Sequence, residues 1–209
     1  MSENLASTRR DGGRGSDRGR PRDPLMDGAI LAVTIDLLSV VGYAGLTVAE
    51  VARRAEVSKP AIYRRWAQKS QLVVEAVVTQ LRVEAAPDSG STVDDLIELA
   101  GQLIVVLTRT PYARVLPGLV AEMAADPALA ESYRELVIRR TRLAWRTVVE
   151  RGIARGDLRA DTDIEFVIDV LTGPLYTRVL VTGAPIEPGY PAAVADLVMA
   201  RYGTKPTAG

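Results

Sequence analysis

The chain has 209 residues, with 26 basic and 26 acidic side chains and neither cysteine nor histidine. Without these two residue types it has no disulfides, no Ser-His-Asp or thiolate chemistry and no usual zinc ligand set, and no paired carboxylates stand out for acid–base catalysis. The length suits one or two domains with a substantial core. We expect a cytoplasmic protein, because the N-terminus lacks an apolar signal region and no apolar stretch looks long enough to span a membrane.

Charge is spread unevenly along the chain. Residues 1–69 hold 12 basic and 8 acidic side chains, whereas residues 70–209 hold 14 and 18. Residues 1–22 contain six arginines and almost no apolar side chains, so we predict a disordered basic arm. Its end, Arg18-Gly19-Arg20-Pro21-Arg22, resembles the core of an AT-hook, in which arginines enter the minor groove. Arg20 and Arg22 are therefore candidate DNA contacts, although a solvated basic leader explains the composition equally well.

The first predicted helix supports the segment that follows it. Asp23 suits its cap and Pro24 its first position. Apolar side chains recur at helical spacing as far as Gly42, where we expect the helix to end; they are Ile30, Val33, Leu37, Leu38 and Val41. This helix should supply the core on which two shorter helices rest.

Residues 47–69, TVAEVARRAEVSKPAIYRRWAQK, have the pattern of two short helices joined by a tight turn, followed by the start of a third. Thr47 and Glu50 have the spacing of a capping box, and Ser58 is a natural cap for the second helix. That second helix should bury Ile62 and display five side chains: Lys59, Ala61, Tyr63, Arg64 and Arg65. A short cationic helix set steeply against another fits the major groove of DNA.

Lys69 opens a linking helix that should reach about Ala85, and Pro87 to Gly90 form the candidate boundary to a second region. Beyond it the hydrophobic period is helical, so the expected fold class is all-α. The first predicted helix here runs from a Ser91/Thr92 cap to Leu107, and the second covers 112–125 with a break at Pro117-Gly118. The third runs from Asp126 to about Arg155. The fourth begins at a Thr162/Glu165 capping box and reaches about Val181 with a kink at Pro174, and the last runs from Tyr190 to Tyr202.

The two-helix segment resembles the DNA-binding signature of the TetR (tetracycline-repressor-like) family of regulators. The matching residues are Thr47-Val48, Val51-Ala52, Ala55, Val57-Ser58-Lys59, Ile62-Tyr63, Trp66 and Lys69. Three later segments, Arg155 to Leu158, Gly173 to Tyr176 and Val181 to Gly183, resemble the C-terminal domain of one TetR subgroup. Two positions depart from the family. Glu56 replaces the usual glycine, so we expect the turn there not to be left-handed, and Ala61 replaces a common threonine, which removes one possible contact.

The resemblance implies a DNA-binding domain over residues 23–86, an effector-binding and dimerisation domain over residues 91–203, and a tail over 204–209. The residues implied at phosphates or in the minor groove are Arg20, Arg22, Thr47, Tyr63 and Lys69. Those implied at base edges are Ser58, Lys59, Ala61 and Arg64, with Trp66 packing the end of the helix.

The resemblance also implies a small-molecule effector, with no cofactor or metal, in a cavity enclosed by the later helices. The candidate wall residues are long, mostly apolar side chains: Leu103, Leu107, Tyr112, Leu116, Met123, Trp145, Phe166 and Tyr176. The last two helices should pair with their copies as a four-helix bundle. The homodimer would then bind a double-stranded, palindromic operator, from which the effector releases a repressor.

Other interpretations remain open at the level of sequence. The first helices could form a charged module that packs only on itself, and the last two could simply cover the chain's own core. Each candidate wall residue is also compatible with ordinary core packing. A helical ligand-binding protein, or an enzyme based on carboxylates, would need no DNA role at all.

Overall fold

The computed structural model describes residues 24–81 and 85–204, and over these residues the regular elements are helices, as predicted, apart from one isolated bridge between Leu158 and Gly203. The helices are α1 Pro24–Gly45, α2 Val48–Arg54, α3 Lys59–Tyr63, α4 Lys69–Val78, α5 Thr92–Arg109, α6 Pro111–Met123, α7 Pro127–Tyr133, α8 Arg139–Arg155, α9 Ile164–Thr177 and α10 Tyr190–Tyr202. A π-helical turn, Arg134–Ile138, joins α7 to α8, and another, Arg178–Thr182, extends α9. The predicted cap Asp23 lies outside the described residues.

We call α1 to α4 the head and α5 to α10 the body. One apolar core contains the head helices together with side chains of the body, such as Leu107, Leu116 and Leu129. A second core lies among α5, α8, α9 and α10 and includes Trp145 and Leu171. Because the first core contains side chains from both parts of the chain, the head packs against the body through buried apolar contacts.

Side-chain caps begin the helices of the head where the sequence predicts them. Thr47 Oγ1 accepts a hydrogen bond from the Glu50 amide at 3.2 Å, and Ser58 Oγ accepts one from an amide of α3 at 3.3 Å. The reciprocal half of the predicted capping box is replaced, because the Glu50 carboxylate pairs with Arg53 and Arg54 instead.

The backbone adopts a positive φ at two points in the head. Gly42 has φ 68° and interrupts α1 where the sequence predicts its end, although one further turn carries the helix to Gly45. Glu56, between α2 and α3, has φ 54°, so the expectation that this turn is not left-handed is wrong. The Val57 amide bonds to the Ala52 carbonyl at 3.0 Å, a Schellman-type closure that requires the left-handed conformation whichever residue occupies it.

Two predicted helix spans in the middle of the chain are also wrong. α4 ends at Val78 rather than near Ala85, and residues 79–80 form a turn in which the Gln80 amide bonds to the Val77 carbonyl at 2.9 Å. α6 is continuous through Pro117 instead of broken there. Pro117 is exposed, and the buried residues on the opposite side of α6 keep the helix packed on the core.

The cap of α9 also differs from the prediction. Asp163, not Thr162, begins the helix, and its Oδ1 accepts a hydrogen bond from the Phe166 amide at 3.0 Å. The Thr162 hydroxyl donates to the carbonyl of Arg159 at 2.6 Å, and Glu165 is drawn to arginines of α8. Thr162 and Asp163 are both suitable caps, and Asp163 is the one used while Glu165, the partner of Thr162 in the predicted capping box, forms ion pairs with α8.

α1 is long and apolar enough to meet the length and composition of a membrane span, with 22 residues and a mean hydropathy of 1.8 in its most apolar window. The expectation that no stretch would do so is therefore wrong for this helix. α5 and α6 meet the same criterion only if they are taken together, and they are bent by 81°. α1 packs against α4 and α6, and its Asp27 pairs with Arg65, so we assign it to the core of the head.

Candidate nucleic-acid interface and ligand cavity

α3 presents charged and polar side chains to solvent. Ser58, Lys59 and Arg64 are exposed, the ring of Tyr63 is 48% exposed, and Thr47 is exposed at the start of α2. Within the described residues neither Lys59 nor Arg64 has an acidic partner. Two cations without an intramolecular counter-ion, beside an exposed phenol, suit a helix that contacts DNA.

Two side chains that the sequence predicts on the exposed side of α3 lie elsewhere. Ala61 is 8% exposed and cannot reach a base edge. Arg65 forms an ion pair with Asp27 of α1 and donates to the Ala61 carbonyl at 3.0 Å. Arg65 lies beyond the end of α3, and its ion pair with α1 turns it inward. Arg20 and Arg22 lie outside the described residues, and their minor-groove contact stays a prediction.

Trp66 and Lys69 fix the connection between α3 and α4. Trp66 is 4% exposed and its indole N–H donates to Glu75 Oε2 at 2.6 Å, in keeping with its predicted packing at the helix end. Lys69 Nζ donates to the carbonyls of Tyr43 at 2.8 Å and Leu46 at 3.3 Å, and it lies 4.0 Å from the centroid of the Tyr43 ring. Lys69 therefore ties α4 to the end of α1, and its phosphate contact stays a prediction.

Tyr43 links this point to the body. Its hydroxyl donates to Asp126 Oδ2 at 2.6 Å, while Asp126 Oδ1 caps α7 by accepting the Leu129 amide at 3.0 Å. Burial, and secondly the Asp126 carboxylate, raise the pKa of Tyr43. The hydrogen bond from Tyr43 lowers the pKa of Asp126. The cap predicted at Asp126 is thus formed, and it doubles as a contact between head and body.

A cavity of about 70 Å³, partly open to solvent, lies in the body. This volume is smaller than the roughly 300–1,000 Å³ that is usual for small-molecule sites, so a larger ligand must displace side chains of the wall or extend through the opening. The cavity is lined by Leu81, Leu99, Gln102, Leu103, Val106, Tyr112, Val137, Thr141, Ala144, Trp145 and Tyr176. Four of the eight predicted wall residues are among them: Leu103, Tyr112, Trp145 and Tyr176.

The other four predicted wall residues do not line this cavity. Leu107 and Leu116 are each 1% exposed and lie, with Met123, in or against the core shared by head and body. Phe166 is 53% exposed on the outer side of α9. Length and apolarity alone do not distinguish a side chain that faces a void from one that packs against neighbours, and a role of these four residues in effector binding stays a prediction.

The polar groups at the cavity are neutral. The hydroxyls of Tyr112 and Tyr133 hydrogen-bond to each other, and burial raises the pKa of Tyr112, Tyr133 and Tyr176. In the described part of the chain, neither the Trp145 indole nor the Tyr176 hydroxyl has a hydrogen-bond partner. Gln102 is a polar wall residue that the sequence does not reveal, because a glutamine in a helical pattern is equally compatible with an exposed position.

A second, open hollow adjoins the cavity and shares Gln102 and Val106 with it. Arg109, at the end of α5, is exposed on the rim of this hollow. Over residues 24–81 and 85–204, no group of three or more acidic side chains could hold a metal ion.

A four-helix head with exposed cations at a short helix, carried on a helical body with a cavity, defines the class of helix-turn-helix DNA-binding regulators. Two family profiles match the chain. The profile of bacterial regulatory proteins of the tetR family matches residues 30–76, and that of the tetracyclin repressor-like C-terminal domain matches residues 86–198.

Individual relatives agree with the profiles. The chain is 37% identical to the HTH-type transcriptional regulator YdeS of Bacillus subtilis (strain 168), over 88% of this chain and 91% of that protein. It is 28% identical to the DNA-binding transcriptional repressor TetR of Mycobacteroides abscessus, over 85% and 95%. The crystal structure of the TetR family transcription regulator SCO0332 superposes with a TM-score of 0.69 at 30% identity, over 87% and 99%. The chain belongs to the TetR family of transcriptional regulators and is not an enzyme.

Proposed function

We propose that the protein is a cytoplasmic, ligand-released repressor that binds a palindromic operator as a homodimer. The observation that carries the DNA-binding part is the exposure of Lys59 and Arg64 on α3 without an acidic partner among the described residues. The other side of that helix is fixed by the Arg65–Asp27 ion pair and by buried Trp66. Recognition of a DNA groove requires cationic side chains that are available to the DNA and are held in position by a rigid helix.

In this proposal the exposed side chains divide into two groups. Lys59 and Arg64, with Ser58, face base edges in the major groove, where arginine and lysine recognise guanine. Thr47 and Tyr63 hydrogen-bond to phosphates and set the position of the helix. Ala61 is excluded from the first group because it is buried. Lys69, whose bonds to the end of α1 already use part of its donor capacity, adds a phosphate contact at most through its remaining N–H.

The outer faces of α9 and α10 support the proposed dimer. Phe166 is 53% exposed and Val181 78% exposed along α9 and its π-helical extension, and Leu197 on α10 is 62% exposed. Apolar side chains at this density on adjacent helices favour pairing with a second copy. A two-fold axis there would carry two heads to half-sites one DNA turn apart, which makes the operator palindromic.

α7 supplies a physical link between ligand and DNA. At one end of α7, Tyr133 hydrogen-bonds to Tyr112, a wall residue of the cavity. At the other end, the cap Asp126 hydrogen-bonds to Tyr43 of the head. A ligand that displaces Tyr112 therefore acts on an element that also holds the head. By linkage, a ligand that prefers the displaced arrangement weakens operator binding by the same factor by which DNA weakens ligand binding.

Footprinting of the DNA that flanks the protein's own gene tests the proposal. We expect one protected, two-fold-symmetric site with half-sites about one helical turn apart. The relative named as a repressor in Mycobacteroides abscessus supports the choice of a repressor over an activator. Absence of any protected site, together with full solubility and folding of the protein, would favour a ligand-binding protein without a DNA role.

A further inference from the structure

We propose that the effector is an uncharged, largely apolar molecule whose carbonyl or ether oxygen accepts a hydrogen bond from the indole N–H of Trp145. This inference rests on the effector-binding role proposed above and specifies its chemistry. Its basis is the combination of an indole donor on the cavity wall that has no hydrogen-bond partner among the described residues and a wall that carries no charge.

The wall of the inner cavity excludes charged ligands. Every lining residue is apolar or neutral, and the polar ones are Gln102, Tyr112, Thr141, Trp145 and Tyr176. The tyrosines stay protonated because burial raises the pKa of Tyr112 and of Tyr176. A carboxylate or an ammonium group would lose its hydration here without gaining an opposite charge, which strongly disfavours its entry.

Trp145 selects for a hydrogen-bond acceptor. Trp145 is only 4% exposed, and no group in the described ranges accepts a hydrogen bond from its indole N–H. An indole N–H donates only, so its natural partner is an oxygen or nitrogen lone pair supplied by a ligand. A pure hydrocarbon would fill the cavity but would leave this donor unsatisfied.

Tyr176 adds a second polar handle. Its hydroxyl has no hydrogen-bond partner among the described residues, and it lines the same cavity as Trp145. A phenol can donate or accept, so it tolerates either a second acceptor or a hydroxyl on the ligand. Arg109 is charged, but it lines the outer hollow and not the inner cavity.

Three naphthalene probes separate charge from hydrogen bonding at nearly constant shape: 2-acetylnaphthalene carries a neutral acceptor, 2-isopropylnaphthalene carries none, and 2-naphthoate is an anion. Titration calorimetry on the DNA-free, full-length protein at pH 7.5 measures each affinity. We expect the ketone to bind at least about tenfold tighter than the carboxylate, because only the carboxylate must leave its charge unpaired.

Variants then assign the hydrogen bond. Trp145→Phe keeps an aromatic ring and should weaken binding of the ketone by about fivefold to tenfold while leaving the hydrocarbon within about twofold. Tyr202→Phe removes a hydroxyl from a tyrosine that does not line the cavity, and it should change neither affinity. Circular dichroism verifies folding, and if Trp145→Phe is unfolded, the comparison of ketone and carboxylate on the unaltered protein decides.

Three results would overturn the inference: carboxylate binding as tight as ketone binding, equal losses for ketone and hydrocarbon in Trp145→Phe, or no detectable binding of the ketone at its solubility limit. Failure of the proposed function is distinguishable, because it appears in the footprint. Ketone binding as expected, without any operator in the flanking DNA, would keep the cavity chemistry and reject the repressor.

Discussion

The hydroxyl of Tyr43 donates to the carboxylate of Asp126 at 2.6 Å and so joins the end of α1 to the N-cap of α7. Lys69 lies over the ring of the same tyrosine and binds its carbonyl. Tyr43 therefore contacts the base of the linking helix, the cap of a body helix and the core of the head at once. We expect a change in the position of α7 to reach the head through this side chain.

Tyr43→Phe is expected to uncouple ligand from DNA. The variant keeps the ring beneath Lys69 and removes only the hydrogen bond to Asp126. We expect operator affinity without ligand to change by less than about threefold, while the ligand-induced loss of affinity shrinks by several-fold, since coupling energies of about 1–3 kcal/mol depend on such contacts. Fluorescence anisotropy with and without a cavity ligand measures both. An unchanged ligand effect would show that coupling runs through other contacts.

The same pair predicts a pH dependence of stability. The hydrogen bond from Tyr43 lowers the pKa of Asp126 in the folded state. The resulting stabilisation of the folded protein is present above the pKa of an unfolded aspartate, about 3.9, and is lost as the pH falls through the lower pKa of the folded state. Burial raises the pKa of Tyr43, so the contribution of its neutral hydroxyl to stability is present below about pH 10, the pKa of an unfolded tyrosine, and is lost only at higher pH. The difference in unfolding free energy between the unaltered protein and Tyr43→Phe should be level from about pH 5 to 9 and shrink below about pH 4. Urea unfolding at each pH measures it, and a difference that grows towards acid would contradict the assignment.

Glu56→Gly should stabilise the head. Glu56 has φ 54°, a conformation that costs a residue with a Cβ about 1 kcal/mol and costs glycine almost nothing. Because glycine also loses more backbone entropy on folding, we expect a net gain of about 0.5 kcal/mol. Glu56→Ala is the matched control, since it removes the same carboxylate but retains the strain. If both variants raise the melting temperature equally, the gain comes from charge and not from the backbone.

Arg155 neutralises a buried carboxylate at the far end of the body. Asp95 is 0% exposed, and its Oδ1 accepts hydrogen bonds from the amide of Ser89 at 2.8 Å and from the Ser89 hydroxyl at 2.7 Å. Its Oδ2 accepts no hydrogen bond and lies 3.6 Å from Arg155 Nη2. Arg155→Ala leaves this charge unpaired and should lower the unfolding free energy by about 3 kcal/mol. Arg159→Ala breaks an exposed pair with Asp161 and should leave the melting temperature nearly unchanged. Similar small effects of both variants would mean that the contact between Arg155 and Asp95 contributes little to stability.

Local features of the fold follow from the sequence because they depend on neighbours within four residues. Thr47, Ser58 and Asp126 cap the helices that the sequence predicts, and Gly42 interrupts α1 at the predicted residue. The left-handed turn at Glu56 was missed, because side-chain preference argues against a conformation that the helix end imposes.

Features that depend on distant residues could not be predicted in the same way. Arg65 turns inward because Asp27, 38 residues earlier, is its partner. Phe166 and Trp145 are both large aromatic residues in helical patterns, yet one lies on the outside of α9 and the other lines the cavity. Only the relative placement of α8 and α9 separates them, and periodicity carries no information about that placement.

Operator binding by a variant that lacks both free cations of α3 tests the central claim most directly. Fluorescence anisotropy compares the unaltered protein, Lys59→Ala/Arg64→Ala and the control Arg139→Ala, which removes an exposed cation of α8, on the flanking DNA and on a scrambled duplex. We predict that the double variant binds the flanking DNA at least about tenfold more weakly, while Arg139→Ala binds as the unaltered protein does. Equal affinity of the double variant and the unaltered protein, or no preference of the unaltered protein for the flanking DNA, would contradict the account.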